Sequence, residues 1–253
     1  MKKILSVFLG LVLALALYCG AWQFMAYKMN QAITDFYTVD APLKGIKLHG
    51  PMPVVTGFPF TPVITYTKGV STEDFDLQFS SVTLQGFPIP KFPLTINFNQ
   101  GLLITSLQTK YSLPLDALNA TIIVPSSLPN SSREADIKTW QASQENIDIE
   151  NIQAKKSGMD LKAEGTIGLN TQLQPTLNLN SVIEGHEQLI SFLVETGELK
   201  PLPAAIALSA LNAMVKTDEQ TGSRQVKLAI KIKDQVLYLG PVRLTTLPPI
   251  RWP

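Results

Sequence analysis

Apolar and polar residues alternate at every second position over much of the chain. The alternation runs through residues 79–85 and 94–98, and it continues through 107–113 after a turn predicted at Asn99-Gln100-Gly101. A period of two is typical of a β-strand, in which successive side chains point to opposite faces. The first half of the chain is therefore predicted to form strands.

The same pattern returns in residues 147–152, 159–169 and 177–183, where one set of positions is apolar and the other is polar. Antiparallel sheets often have one solvated face, whereas parallel strands buried on both faces show near-continuous apolar runs. We therefore predict an antiparallel sheet. Residues 226–242 predict a C-terminal hairpin with its turn at Asp234-Gln235.

Two segments after residue 184 have a helical period instead. Residues 186–196 place Leu189, Phe192 and Leu193 on one side, and a second segment runs from Pro201 to about Lys216. An amphipathic helix needs an apolar surface to cover, and the preceding sheet offers one. The predicted fold class is mainly β, a β-rich α+β fold in which two amphipathic helices partly cover a curved antiparallel sheet.

The chain begins with Lys2 and Lys3, followed by 24 residues without a charged side chain, Ile4 to Tyr27. At ~1.5 Å per residue such a helix would reach about 36 Å, enough for the ~30 Å hydrocarbon core of a bilayer. We predict one N-terminal transmembrane helix, residues 1–27. A stalk at residues 28–41 and a β-rich domain at 42–253 follow, with a sub-boundary in the loop 125–136.

A cleaved signal peptide is the main alternative to the anchor. Its apolar region would be only about 7–15 residues long before a small-x-small site, and Ala14 and Ala16 lie in the middle of the run. Cys19 would suit a lipoprotein, but bulky Tyr18 precedes it. By the positive-inside rule the anchor predicts a single-pass protein of the bacterial inner membrane, with a cytoplasmic N terminus and a periplasmic domain. Cleavage would predict a secreted protein.

Proline is dense after the stalk, and it excludes a long helix there. Gly57-Phe58-Pro59-Phe60 is echoed 29 residues later by Gly86-Phe87-Pro88-Ile89-Pro90. Two similar turns with buried aromatic residues would explain the echo, and so would a repeated supersecondary unit. Near the end of the chain, Trp252 predicts that the terminus docks onto the body.

The charges are balanced, with 21 Lys and Arg against 20 Asp and Glu, so no nucleic-acid partner is expected. Cys19 is the single cysteine, which excludes a disulfide within the domain. His49 and His186 are the two histidines, and they lie far apart in sequence, so neither a metal site nor a cofactor is predicted. Imidazole and carboxylates come together only at Glu184, His186 and Glu187, which suit a helix N terminus better than a catalytic site.

These residues together resemble a family of bacterial proteins, the domain of unknown function numbered 2125. The resemblance lies in the N-terminal span, the Gly57–Phe60 element, Glu164–Leu169 and the block from Leu237 to Pro249. The repeated antiparallel strands on one anchor also look similar to AsmA-like envelope proteins, which are thought to carry lipid along an apolar groove. The resemblance implies no catalytic residue.

The sequence predicts a non-enzymatic protein of the cell envelope. The bilayer is one expected partner, through residues 4–27. An apolar groove of the sheet that binds or passes lipid acyl chains is the leading hypothesis, although no lipid- or partner-binding residue can be named. The alternative is a structural module that docks other envelope proteins and has no lipid ligand. Residues Glu184, His186 and Glu187 would carry the third possibility, an enzyme.

Overall fold

The computed structural model describes residues 2–73, 75–87, 89–106, 111–127, 129, 133–195, 197, 199–219, 221–250 and 252, with the backbone alone at 2–13, 100, 106, 111 and 113. Helix α1 spans Lys2–Asp35 and continues through a π-helical turn, Phe36–Asp40, into a short helical turn, Ala41–Leu43. Helices α2, α3 and α4 span Glu134–Ala142, His186–Glu195 and Pro201–Met214. Among the residues described, no helix is both long enough and apolar enough to cross a membrane.

The described strands form one antiparallel sheet. They are β1 Lys47–Leu48, β2 Val55–Thr56, β3 Val63–Ser71, β4 Phe75–Gly86, β5 Pro93–Ser106, β6 Tyr111–Leu115, β7 Ala117–Ile123, β8 Ile147–Lys156, β9 Met159–Leu169, β10 Pro175–Glu184, β11 Lys216–Thr217, β12 Arg224–Lys233, β13 Val236–Leu239 and β14 Val242–Thr246. Their spatial order is β1-β3-β4-β5-β7-β8-β9-β10-β12-β13-β14, and β2, β6 and β11 pair with β3, β5 and β12. The sheet is thus largely a meander, and the antiparallel pairing predicted from the alternating pattern is confirmed.

Helices α3 and α4 cover one end of the apolar face, above β9 to β14. Ile183 of β10, Val226 of β12 and Leu211 of α4 are fully buried in this cluster. Ala204 and Ala207 of α4 are buried beside them, and these small side chains let the helix lie close to the strands. The two predicted helices and the surface that they cover are confirmed.

The other end of the same face carries a row of aromatic rings. Tyr37, after α1, meets Tyr66 of β3 at 6.0 Å between ring centroids, and Tyr66 meets Phe79 of β4 at 5.8 Å. Phe79 then meets Phe98 of β5 at 5.5 Å. All three contacts are edge-to-face, an arrangement that aromatic rings prefer. The row attaches the segment that follows α1 to the first strands.

The predicted turn at residues 99–101 is wrong. Strand β5 runs through it, and its register against β4 shifts between Phe79 and Ser81. Gly101 has φ +82°, a left-handed value that glycine adopts without steric cost. The glycine therefore permits a bulge within a long strand, where the sequence had indicated a reversal. Residues 107–110 of the predicted strand 107–113 lie outside the described residues, and those at 111–113 belong to β6.

The two-residue turn at Asp234-Gln235 is confirmed, with φ +50° and +62°, as a type I′ turn requires. The docked C terminus is also confirmed, because the Trp252 indole Nε1 donates to the Leu173 carbonyl at 2.8 Å. Helix α2 was not predicted. It begins at Glu134, so the last three residues of the loop predicted at 125–136 are helical, and it buries Ile137 and Trp140. Residues 128 and 130–132 of that loop lie outside the described residues.

Candidate functional site

One face of the sheet is apolar from β4 to β10. The strand register places matching residues in rows across the strands, since alternate side chains of neighbouring strands share a face. One row reads Leu84, Ile96, Ala120, Ile152, Ala163, Ser181, and the next reads Val82, Phe98, Leu118, Ala154, Leu161, Ile183. The face is continuous over these strands.

The helices leave the middle of this face partly open. The side chains of Leu84, Ile96, Ala120 and Ile152 are all half-buried, while Ile183 in the same sheet is fully buried under the helices. A sheet face that packs on a complete second layer would be buried throughout. The strands from β4 to β8 therefore present apolar surface that no described helix covers completely.

Small side chains alternate with isoleucine and leucine across this part of the face. Ala120, Ala154 and Ala163 lie in β7, β8 and β9, and Gly165 adds a position without a side chain. Larger residues stand on both sides, with Phe79 and Phe98 toward β4 and α3 and α4 beyond β9. We call this half-buried apolar surface from β4 to β8 the trough. Three strand spacings from β4 to β8 give it a width of ~15 Å.

The opposite face of the same strands is polar. The Asn99 Nδ2 donates to the Thr83 Oγ1 at 3.1 Å, and the Thr95 and Thr121 hydroxyls lie 3.3 Å apart. The Lys155 Nζ lies 3.3 Å from an Asp160 carboxylate oxygen. These polar side chains therefore hydrogen-bond or pair with one another. The two faces therefore differ in chemistry along the whole length of the strands.

The structure does not join the candidate catalytic residues into a site. The His186 imidazole is buried at 3 % exposure, and its Nε2 donates to the Asn212 Oδ1 at 2.8 Å. Glu184 instead accepts a hydrogen bond from the Ser223 hydroxyl at 3.0 Å, and Glu187 is exposed. His186 thus ties the start of α3 to α4, which is a structural role.

His49 lies elsewhere, on the polar side of β3, where its Nε2 hydrogen-bonds the Ser71 hydroxyl. It lines an open cleft of about 860 Å³ together with Lys68, Asp76 and Gln78. Within the described residues no group of three or more His, Cys, Asp or Glu side chains is placed to hold a metal ion. Apolar residues, among them Phe79, Leu102 and Leu115, also line the cleft.

Comparison with known proteins gives one result. The model of a family described as "Uncharacterized protein conserved in bacteria (DUF2125)" matches residues 97–248, more than half of the chain. The chain belongs to the DUF2125 family. No curated protein matches it, and no solved structure does. The resemblance to this family predicted from the sequence is confirmed, while the likeness to AsmA-like proteins stays a prediction.

The matched segment of this DUF2125 protein begins within β5 and ends after β14. It contains most of the trough and both covering helices. The apolar run, the Gly57–Phe60 element and the aromatic strands β3 and β4 precede it. The trough of this DUF2125 protein thus combines strands of the matched segment on one side with the aromatic residues of β3 and β4, which precede that segment, on the other.

Sequence reasoning missed one strand of the trough. Strand β7 supplies Leu118, Ala120 and Ile122, which alternate with Asn119 and Thr121. The period-two pattern was present and would have revealed the strand. That Ala120 lies between Ile96 of β5 and Ile152 of β8 depends on the strand register, which the sequence alone does not give.

Proposed function

We propose that this DUF2125 protein is a membrane-anchored, non-enzymatic protein of the bacterial cell envelope that binds or passes lipid acyl chains in the trough. In this proposal the uncharged sequence of residues 4–27 is the single inner-membrane span, and the β-rich domain lies in the periplasm. One observation carries the proposal: the apolar face of the sheet is continuous from β4 to β10, while the helices seal it only above β9 to β14.

An acyl chain suits the trough better than a polar ligand does. The floor residues Ala120 and Ala154 and the wall residue Phe98 offer dispersion contacts and no hydrogen bond from their side chains. Relative to water, each methylene buried there would contribute about 0.8 kcal/mol. A chain of about ten methylenes would therefore be several kcal/mol more stable in the trough than in water, even when it is only partly covered.

The test is photo-crosslinking in the membrane. The full-length protein is reconstituted with a phospholipid that carries a diazirine in one acyl chain, irradiated and mapped by peptide mass spectrometry. We expect adducts on strands β5, β7 and β8 as well as on the span. Adducts confined to residues 4–27 would overturn the proposal, because the lipid would then only surround the anchor.

A matched pair of variants makes the test specific. Ala120→Glu places a carboxylate on the floor of the trough, and Asn119→Glu places the same group on the polar face of the same strand. We expect Ala120→Glu to abolish the adducts on the sheet and Asn119→Glu to leave them unchanged. Thermal melting of both variants checks that each is folded.

A docking module for other envelope proteins is the second candidate. The outer side of α4 exposes Leu202, Ile206 and Met214 at 75 %, 64 % and 39 %. Exposed apolar side chains on one helix face suit a protein partner. Loss of a crosslinked partner protein in Ile206→Glu, with lipid adducts absent from the sheet of the wild type, would favour this candidate over lipid binding.

A further inference from the structure

Two neighbouring turns carry exposed apolar side chains at one end of the sheet. Phe58 and Phe60, before β3, are 46 % and 77 % exposed, and Ile89 and Phe92, between β4 and β5, are 45 % and 51 % exposed. The turns adjoin, because the Gly86 amide donates to the Pro62 carbonyl at 3.2 Å. We call these four residues the aromatic tip.

The aromatic tip is fixed to helix α1. The Trp22 indole Nε1 donates to the Phe60 carbonyl at 2.8 Å, and its ring meets Phe58 edge-to-face at 5.2 Å. The Tyr18 hydroxyl donates to the Pro59 carbonyl one helical turn away. Trp22 is only 6 % exposed. These contacts therefore fix the position of the tip along the axis of α1.

These contacts place the tip beside the apolar part of α1. Lys28 is the first charged residue after the run, and Trp22 and Tyr18 precede it by six and ten residues. At ~1.5 Å per residue they lie about 9 and 15 Å along the helix from Lys28. At the same level α1 exposes Leu17 and Phe24 at 67 % and 64 %.

We infer that the aromatic tip inserts into the lipid bilayer next to the anchor; the inference rests on the anchor of the proposed function. If residues 4–27 span the bilayer, the level of Tyr18 and Trp22 lies inside its surface, and the tip lies with them. The side chains of the tip are phenylalanine and isoleucine, whose transfer from water into hydrocarbon is favourable. Lys91, in the second turn, is exposed and suited to anionic headgroups.

The position of the tip gives lipid a route. The apolar face extends to the end of the sheet that carries the tip, through Leu84, Leu94 and Ile122. Strand β4 ends there at Gly86, and β5 begins there at Pro93. With the tip in the bilayer, an acyl chain passes from the membrane to the trough along apolar side chains. It would not have to cross water, which is the costly step for such a chain.

Depth measurements on the full-length protein test the inference. Cys19→Ser removes the native thiol, and single cysteines are then introduced as Phe24→Cys, Phe92→Cys and Glu73→Cys, each labelled with an environment-sensitive dye. Glu73 follows β3 at the other end of that strand, whose nine residues span ~30 Å. The protein is reconstituted into vesicles of phosphatidylethanolamine and phosphatidylglycerol.

We expect the dyes at residues 24 and 92 to be quenched by spin-labelled lipid and shielded from aqueous iodide by about threefold or more relative to residue 73. Shielding at 24 with full iodide access at 92 and 73 would overturn the inference and leave the anchor intact. Full access at all three sites would overturn both. Equal shielding at 73 would also overturn the inference, since the contact would not be specific to the tip. Ile89→Cys provides a second tip site if the label at 92 disturbs folding.

Discussion

Leu211→Ala should remove much of the stability of the helix-covered end of the sheet. Leu211 is fully buried between α4 and the strands, against Ile183 and Val226, which are also fully buried. The change deletes three carbon atoms, about 2.4 kcal/mol at ~0.8 kcal/mol each. The floor beneath it consists of paired strands and cannot collapse, so a cavity penalty raises the loss to about 4 kcal/mol.

Urea unfolding of the full-length protein in detergent, followed by circular dichroism, measures this loss. Leu202→Ala is the matched control, because the same substitution in the same helix affects a side chain that is 75 % exposed. It should change the free energy of unfolding by no more than about 0.5 kcal/mol. Equal losses in the two variants would refute the packing of α4 on the sheet, since only burial distinguishes the two leucines.

Three further predictions follow from local geometry. Gly165→Ala should strongly destabilise the sheet, because φ is +151° and a Cβ would lie 2.0 Å from the Asn178 carbonyl oxygen. Gly168→Ala should destabilise it less, since the nearest neighbour of its Cβ would be the movable Asn146 side chain. Thermal melts of the two variants compare the losses. Partial burial, and after it the neighbouring Tyr66, raise the pKa of Tyr37 above its ordinary value of 10.0. The neutral tyrosine therefore stabilises the folded protein below pH 10, and this contribution to the free energy of unfolding should be lost as the pH rises further. Tyr37→Phe should weaken the alkaline loss in melts taken between pH 9 and about 11, and an unchanged profile would contradict the assignment. Gln174→Ala should release the C terminus to proteases, because the buried amide of Gln174 both donates to and accepts from the Ile250 backbone, at 3.0 and 2.8 Å; unchanged cleavage would show that Trp252 alone holds the tail.

The sheet could be predicted from the sequence where polar and apolar residues alternate without interruption, as in β9 and β10. The same pattern failed at residues 99–101, because a glycine at positive φ serves a bulge and a turn equally well. Helix α2 escaped prediction, since its nine residues follow a polar loop and bury only Ile137 and Trp140. Local sequence indicates such short elements weakly.

The trough could not be predicted, because it depends on which strand positions meet. Register shifts between Thr121 and Ile122 and between Ile149 and Ile152 bring Ala120 opposite Ile152, and Ile152 opposite Ala163. A shift of one residue would turn each side chain to the other face. The alternation indicates that one face is apolar, while the register decides which apolar side chains lie side by side on that face.

The meander also bears on how the chain reaches this structure. Most strands on the main path pair with a strand close to them in sequence, and only the short strands β2, β6 and β11 are passed over. The connections from β7 to β8 and from β10 to β12 are longer, because they contain α2 and α3 with α4. Short separations keep the entropic cost of closing each connection low, which favours fast folding. Strands can therefore join the growing edge in the order of synthesis, without waiting for a distant partner. Because each hairpin is a self-contained addition, duplication or loss of one would widen or narrow the apolar face in steps of two strand spacings, about 10 Å, and leave the remaining pairings intact.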